Sequence, residues 1–226
     1  MPTNRLRTLY ERLLAAHGPQ GWWPADGPLE VIVGAILTQR TAWRNVERAT
    51  DRLRGAELLS IEAIDRAAAD RISEAIRPVG FRVGKARKLK EIASHLKNRY
   101  GGDLDRLFAR PTEELREELL GLFGIGEETA DAILVYAARR PSFVVDAYAR
   151  RLLTRLGWIE GREAYQELRK AFLDALPDDV ALLGEYHALI VRHGQEYCRA
   201  APVCDGCPVR AICAEGQSAR APEVSR

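Results

Sequence analysis

Apolar residues recur at helical spacing along almost the whole chain, and this constrains the fold more than any other feature. Leu6, Leu9, Tyr10, Leu13 and Leu14 fall at i, i+3, i+4, i+7 and i+8, one face of an amphipathic helix. Ala86, Leu89, Ile92, Ala93 and Leu96 repeat the spacing, and Gly101-Gly102 follows as a stop signal. Tyr165, Leu168, Phe172 and Leu176 form another stripe, as do Leu183, His187, Ile190 and Val191. Start signals agree with the stripes. Pro28 suits the first position of a helix through Leu37. Ser60 can cap a helix holding Ile61 and Ile64, and Thr112 opens another after Pro111. Pro78 ends the helix before it. Strand-like character is confined to the short patch Ser142 to Val145. The pattern predicts an all-α protein of about ten helices with short links.

A chain of 226 residues, 46% of them hydrophobic, can bury a core as one large domain or two small ones. That content excludes a disordered or collagen-like chain. The longest apolar run, Leu29 to Leu37, contains Glu30 and is too short to span a bilayer. Charges throughout MPTNRLRTLYERLL leave no secretory signal visible, so a cytoplasmic location is expected. The formal charge of +2 hides segregation. From Arg71 to Tyr100, nine basic residues including Lys85 oppose only Glu74 and Glu91, an excess of +7 against −5 for the remainder. Such a stretch is either a solvated helix face or a phosphate-contacting surface. The basic set is also lopsided, with five Lys and 29 Arg. The tail at 214–226, AEGQSARAPEVSR, has no apolar stripe to bury and is expected to be mobile.

All four cysteines, Cys198, Cys204, Cys207 and Cys213, lie within sixteen residues as C-x5-C-x2-C-x5-C. Disulfides are the plain alternative, but nothing in the sequence points to secretion. Four thiolates in one short loop can surround a tetrahedral zinc or a [4Fe–4S] cluster, and the spacing leaves the choice open. Upstream, Leu122-Phe123-Gly124-Ile125-Gly126 precedes Glu127-Glu128-Thr129. The two glycines permit a sharp turn between helices, and they also expose backbone N–H groups suited to a DNA phosphate. Asp146 ends the apolar run Phe143-Val144-Val145. A helix N-cap and a reactive carboxylate are both open to it, and the two roles are compatible.

The order of these features resembles the endonuclease III family of helix-hairpin-helix DNA glycosylases, known as the HhH-GPD group. LLGLFGIGEETADAIL, VVDAYARRL, ILTQRT and the cysteine loop carry the match, from about Gly21 to Cys213. The resemblance implies a two-lobed all-α fold: a six-helix domain over 28–138 ending in the hairpin, and a cluster domain from 1–27 and 139–226. It implies a [4Fe–4S] cluster on the four cysteines, with zinc as the lesser alternative. It makes Asp146 the catalytic carboxylate and Gln39 the residue that wedges into the duplex. Lys85, Gly124, Gly126 and Thr129 complete the expected DNA contacts. The partner is then double-stranded DNA with damaged bases, met by a monomer drawn to the nucleoid.

Three departures qualify the match. Lyase members carry a Lys where Glu128 stands here, and a carboxylate cannot form a Schiff base with deoxyribose. That implies a monofunctional glycosylase without AP-lyase activity. The first cysteine gap, Arg199 to Val203, is one residue shorter than the common form. After Thr41 come Ala42 and Trp43, where the family often has Asp. With GWWP and RPVGF, this last departure resembles the methylpurine (3-methyladenine) glycosylases. There two aromatics, here Trp23 and Trp43, sandwich the flipped base. A purine alkylated at N3 or N7 is cationic and gains attraction between two indole faces, although tryptophans also serve as plain core. The alternatives are removal of oxidised or mismatched pyrimidines on the same scaffold, and a non-catalytic iron–sulfur DNA-binding module. His187 and His193 are expected to pack or hydrogen-bond.

Overall fold

The computed structural model describes residues 3–218, and among them there is no strand. In chain order the helices are α1 (Thr3–His17), α2 (Pro28–Thr38), α3 (Trp43–Gly55), α4 (Ile61–Arg66), α5 (Ala69–Ala75) and α6 (Arg82–Tyr100). They continue with α7 (Leu104–Phe108), α8 (Thr112–Leu120), α9 (Glu127–Ala132), α10 (Ala147–Arg155), α11 (Tyr165–Ala175), α12 (Val180–Glu196) and α13 (Ala214–Ser218). A π-helical turn, Ile133–Ala137, extends α9, and a 3-10 turn, Arg210–Ile212, precedes α13.

Local chemistry sets many boundaries. Pro28 is the first residue of α2, and the Ser60 hydroxyl accepts from Ala63 N at 3.1 Å to start α4. Gly101 ends α6 in the left-handed region, φ 69°, where its N–H and that of Gly102 return to Lys97 O and Leu96 O. The β-branched patch at 142–145 is a buried extended link with no strand partner. Val145 N donates to the Tyr165 hydroxyl at 3.3 Å, and Ser142 Oγ accepts from Arg169 Nε at 2.8 Å.

The chain divides into two compact units, one of 1–22 with 141–226, the other of 23–140. The breaks expected from the sequence, 27/28 and 138/139, lie a few residues away. The shift has local causes. Trp23 packs on Gly34, where an added Cβ would lie 3.2 Å from its indole, and Arg140 Nη2 donates to Phe108 O at 2.7 Å. The second unit also holds eight α-helices rather than six, with α3 and the short α7 as the added elements. In the first unit α1 buries Leu6, Leu9 and Leu13 against α11 and α12, around Phe143 and Phe172 stacked at 3.7 Å. The tail differs from expectation too. Ala214–Ser218 is helical, held by polar contacts rather than an apolar stripe. Arg210 Nε donates to Gly216 O at 3.1 Å, and Gln217 Nε2 to Ala211 O at 2.7 Å. The rest of that tail lies outside the described residues.

Candidate functional site

In the second unit, α8 and α9 flank the glycine hairpin. Gly124 takes φ 77°, a left-handed conformation that favours glycine, and a Cβ there would collide with the Lys88 side chain. The hairpin glycines are exposed. A buried bidentate pair ties its two arms: Arg116 Nε and Nη2 donate to Asp131 at 2.9 and 3.1 Å. Glu128 stands exposed in the first turn of α9.

Gln39 follows α2 and is fastened to this hairpin. Its Nε2 donates to Gly124 O at 3.1 Å and to Thr129 Oγ1 at 2.9 Å, while its Oε1 accepts from Lys88 Nζ. Thr129 is therefore not an open DNA contact: it is buried and its hydroxyl holds Gln39. Lys85 is a second correction. It is only 2% exposed, and its Nζ donates to Leu37 O at 2.8 Å and Thr41 Oγ1 at 2.6 Å. Burial, with Lys88 alongside, pulls its ammonium down to about 8. Lys85 fixes the turn after α2, with its ammonium directed at Leu37 O and Thr41 Oγ1 rather than at solvent. Other cations of the basic stretch are also engaged. Lys90 Nζ donates to Asp65 O and Ala67 O at the end of α4, and Lys97 pairs with Asp65.

The solvent-facing groups near the hairpin are ones the sequence reading missed. Phe81 is 70% exposed, with Arg40 over its ring at 5.6 Å, and Phe123 is 43% exposed, with Arg87 over its ring at 3.8 Å. Arg40 and Phe81 both have left-handed backbone, φ 54° and 57°. The available signal was an aromatic placed in a turn beside glycine, off every helical stripe.

Trp23 and Trp43 do meet, but not as parallel plates. Their ring centroids are 5.3 Å apart with planes at 87°, and Tyr136 lies 5.2 Å from Trp23. A base between two indole faces needs planes that are parallel and far enough apart to admit it, so the expected sandwich is not preformed. The edge-to-face contact is the favoured packing for rings in the absence of a guest.

Asp146 is in the first unit, at the N-cap of α10, where its Oδ1 accepts from Ala149 N at 2.8 Å. Its Oδ2 lies 3.6 Å from Nε2 of the buried His187.

The four cysteines also belong to the first unit. None is in a disulfide, and all four line one cavity with His193 and Val203. Among the described residues no three His, Cys, Asp or Glu side chains are placed to hold one metal ion. Four thiols lining one cavity are a donor set that either a tetrahedral zinc or a [4Fe–4S] cluster could use. Arg155 secures the shortened loop through Cys198 Sγ at 3.4 Å and Ala200 O at 2.8 Å. Cys207 Sγ is 3.7 Å from His193 Nε2. Burial, with His17 beside it, pulls His193 down to about 4, so this imidazole is neutral.

The sequence model of the HhH-GPD superfamily of base excision DNA repair proteins matches residues 33–178. A Methanocaldococcus jannaschii protein named "Putative DNA repair glycosylase" is 45% identical over 206 residues, 91% of this chain and 94% of that one. An endonuclease III of Thermotoga maritima is 30% identical over 187 residues, 82% of each chain. The crystal structure of the H. pylori 3-methyladenine DNA glycosylase bound to 1,N6-ethenoadenine superposes with a TM-score of 0.73 at 27% identity, covering 87% of this chain and 98% of that one. Among the described residues no helix is long and apolar enough to cross a membrane.

Proposed function

The chain belongs to the HhH-GPD superfamily and is a base excision repair DNA glycosylase, and from that premise we propose that it removes alkylated purines such as 3-methyladenine from double-stranded DNA and leaves the strand intact. The observation that carries the substrate class is the aromatic cluster of Trp23, Trp43 and Tyr136. A cationic alkylpurine is held best by indole faces. Likeness to the H. pylori glycosylase supports the same reading. Entry of the base requires Trp43, the first residue of α3, to turn from its edge-to-face contact.

The duplex is held by backbone N–H groups of the Gly124–Gly126 hairpin on phosphate and by the arginine–phenylalanine stacks. Flipping brings the base out of the stack. Gln39, released from the hairpin, fills the gap. The alkylpurine carries its own positive charge, so its glycosidic bond breaks without a general acid and the electron pair leaves with the base. Asp146 stabilises the oxocarbenium charge that develops on the sugar. Water then adds at C1′ and gives its proton to this carboxylate. Glu128 offers no amine for a Schiff base, so the reaction stops at the abasic site. Cys198, Cys204, Cys207 and Cys213 would hold a [4Fe–4S] cluster, which would tie the C-terminal loop together.

A second reading, excision of oxidised or mismatched pyrimidines, draws on the 30% identity to an endonuclease III. Base release from duplexes with a single 3-methyladenine tests the first. Trp23→Ala should slow release by about ten- to thirtyfold, the scale of one lost, largely desolvated cation–π face of about 1.4–2 kcal/mol. Asp146→Asn should abolish it while keeping the α10 cap, since Asn caps as well as Asp. Full activity in either variant would remove that residue from the mechanism.

A further inference from the structure

Asp146 has only one oxygen fixed by its cap. The Oδ1–Ala149 N bond leaves the carboxylate free to twist about its own axis unless Oδ2 is also held. Oδ2 faces Nε2 of His187 at 3.6 Å. His187 sits mid-helix in α12 and is 4% exposed, a depth at which an imidazole is costly without polar partners. Its ring is braced from one face by Trp22, with centroids 5.7 Å apart and planes at 14°. Trp22 is braced in turn. Backbone N–H groups of Gln20 and Gly21 both donate to the Glu185 carboxylate, at 3.1 Å for Gly21. Glu185 is two residues before His187 on α12, so one helix supplies both the clamp and the imidazole.

We propose that His187 is a positioning residue for Asp146, locked by the Trp22 stack and the Glu185 clamp. In the Nε2–H form it donates to Oδ2, fixes the carboxylate at both oxygens, and leaves a lone pair of Oδ2 aimed at the sugar. The 3.6 Å separation shortens when the nucleotide is bound, as catalytic hydrogen bonds do on passing from the free to the substrate-bound state. This inference rests on Asp146 being the catalytic carboxylate of a glycosylase, but not on which base is removed.

The test is single-turnover base release alongside affinity for a duplex containing an abasic-site analogue. Wild type is first run on duplexes with 3-methyladenine, thymine glycol, uracil or a G·T mismatch, and the variants are compared on whichever base it releases. Release of a pyrimidine alone would overturn the alkylpurine reading while leaving the His187 comparison intact. Release from none would overturn both. His187→Leu should slow release about 10- to 100-fold, the range for losing a partner that orients a reacting group, with analogue affinity unchanged within about twofold. His187→Gln keeps a donor near the Nε2 position and should recover most of the rate. Trp22→Leu should slow release in the same way as His187→Leu. A wild-type rate in folded His187→Leu would overturn the proposal. So would a His187→Gln variant that melts like wild type yet is as slow as Trp22→Leu.

Discussion

Replacing Asp131 by Asn is the sharpest probe of how the hairpin is held. Asp131 is fully buried and Arg116 is 6% exposed, so the pair is shielded from water. Asn keeps the volume and one acceptor, so no cavity forms. It removes one of the two short hydrogen bonds and the negative charge. The guanidinium remains buried without this carboxylate opposite it, and breaking a buried pair in this way costs about 3–5 kcal/mol. The residual acceptor places Asp131→Asn near the low end, about 3 kcal/mol. For a chain of this length that corresponds to a Tm drop of roughly 6–12 °C. Urea unfolding should show a lower midpoint at unchanged slope. An apolar pair, Arg116→Met with Asp131→Leu, should recover most of the loss, because it removes the desolvation cost together with the attraction. A loss under about 0.5 kcal/mol for Asp131→Asn, or a double variant less stable than the single one, would refute the reasoning.

Glu128→Lys places an amine in the first turn of α9, and borohydride should then trap a covalent adduct on abasic DNA that wild type gives only in trace. Burial pushes the Glu118 carboxyl up, but hydrogen bonds from Tyr100 at 2.7 Å and His95 at 2.6 Å, with Arg99 nearby, hold it below its ordinary 4.5. Its stabilisation is complete above 4.5 and disappears as the pH falls through the lowered folded value, so Glu118→Gln should flatten the acid limb of an unfolding curve. Purified protein should be brown with absorbance near about 400 nm, a band that thiolate-bound zinc lacks, and Cys207→Ser should bleach it.

The parts of this fold that the sequence made legible are local ones. Pro28, Ser60, Gly101 and Asp146 mark helix ends because capping needs only the next few residues. The charge of Lys85 points to the surface but its register does not: it stands four residues before Leu89, on the stripe that α6 buries. The α13 turn was missed because polar bonds, not apolar contacts, hold it. The edge-to-face tryptophans and the His187–Asp146 approach depend on tertiary placement of distant segments, for which periodicity carries no signal. Phe81 and Phe123 are exposed aromatics, and a search for buried stripes passes over them.

The most direct test of substrate class is base release from a panel of duplexes, each with one lesion. Alkylated purines are set against oxidised pyrimidines, uracil and mismatches, and strand cleavage is scored separately. The account predicts free 3-methyladenine or another alkylpurine, an intact strand that breaks only on alkali treatment, and little release from the other lesions. Release of an oxidised pyrimidine with simultaneous strand scission would contradict it.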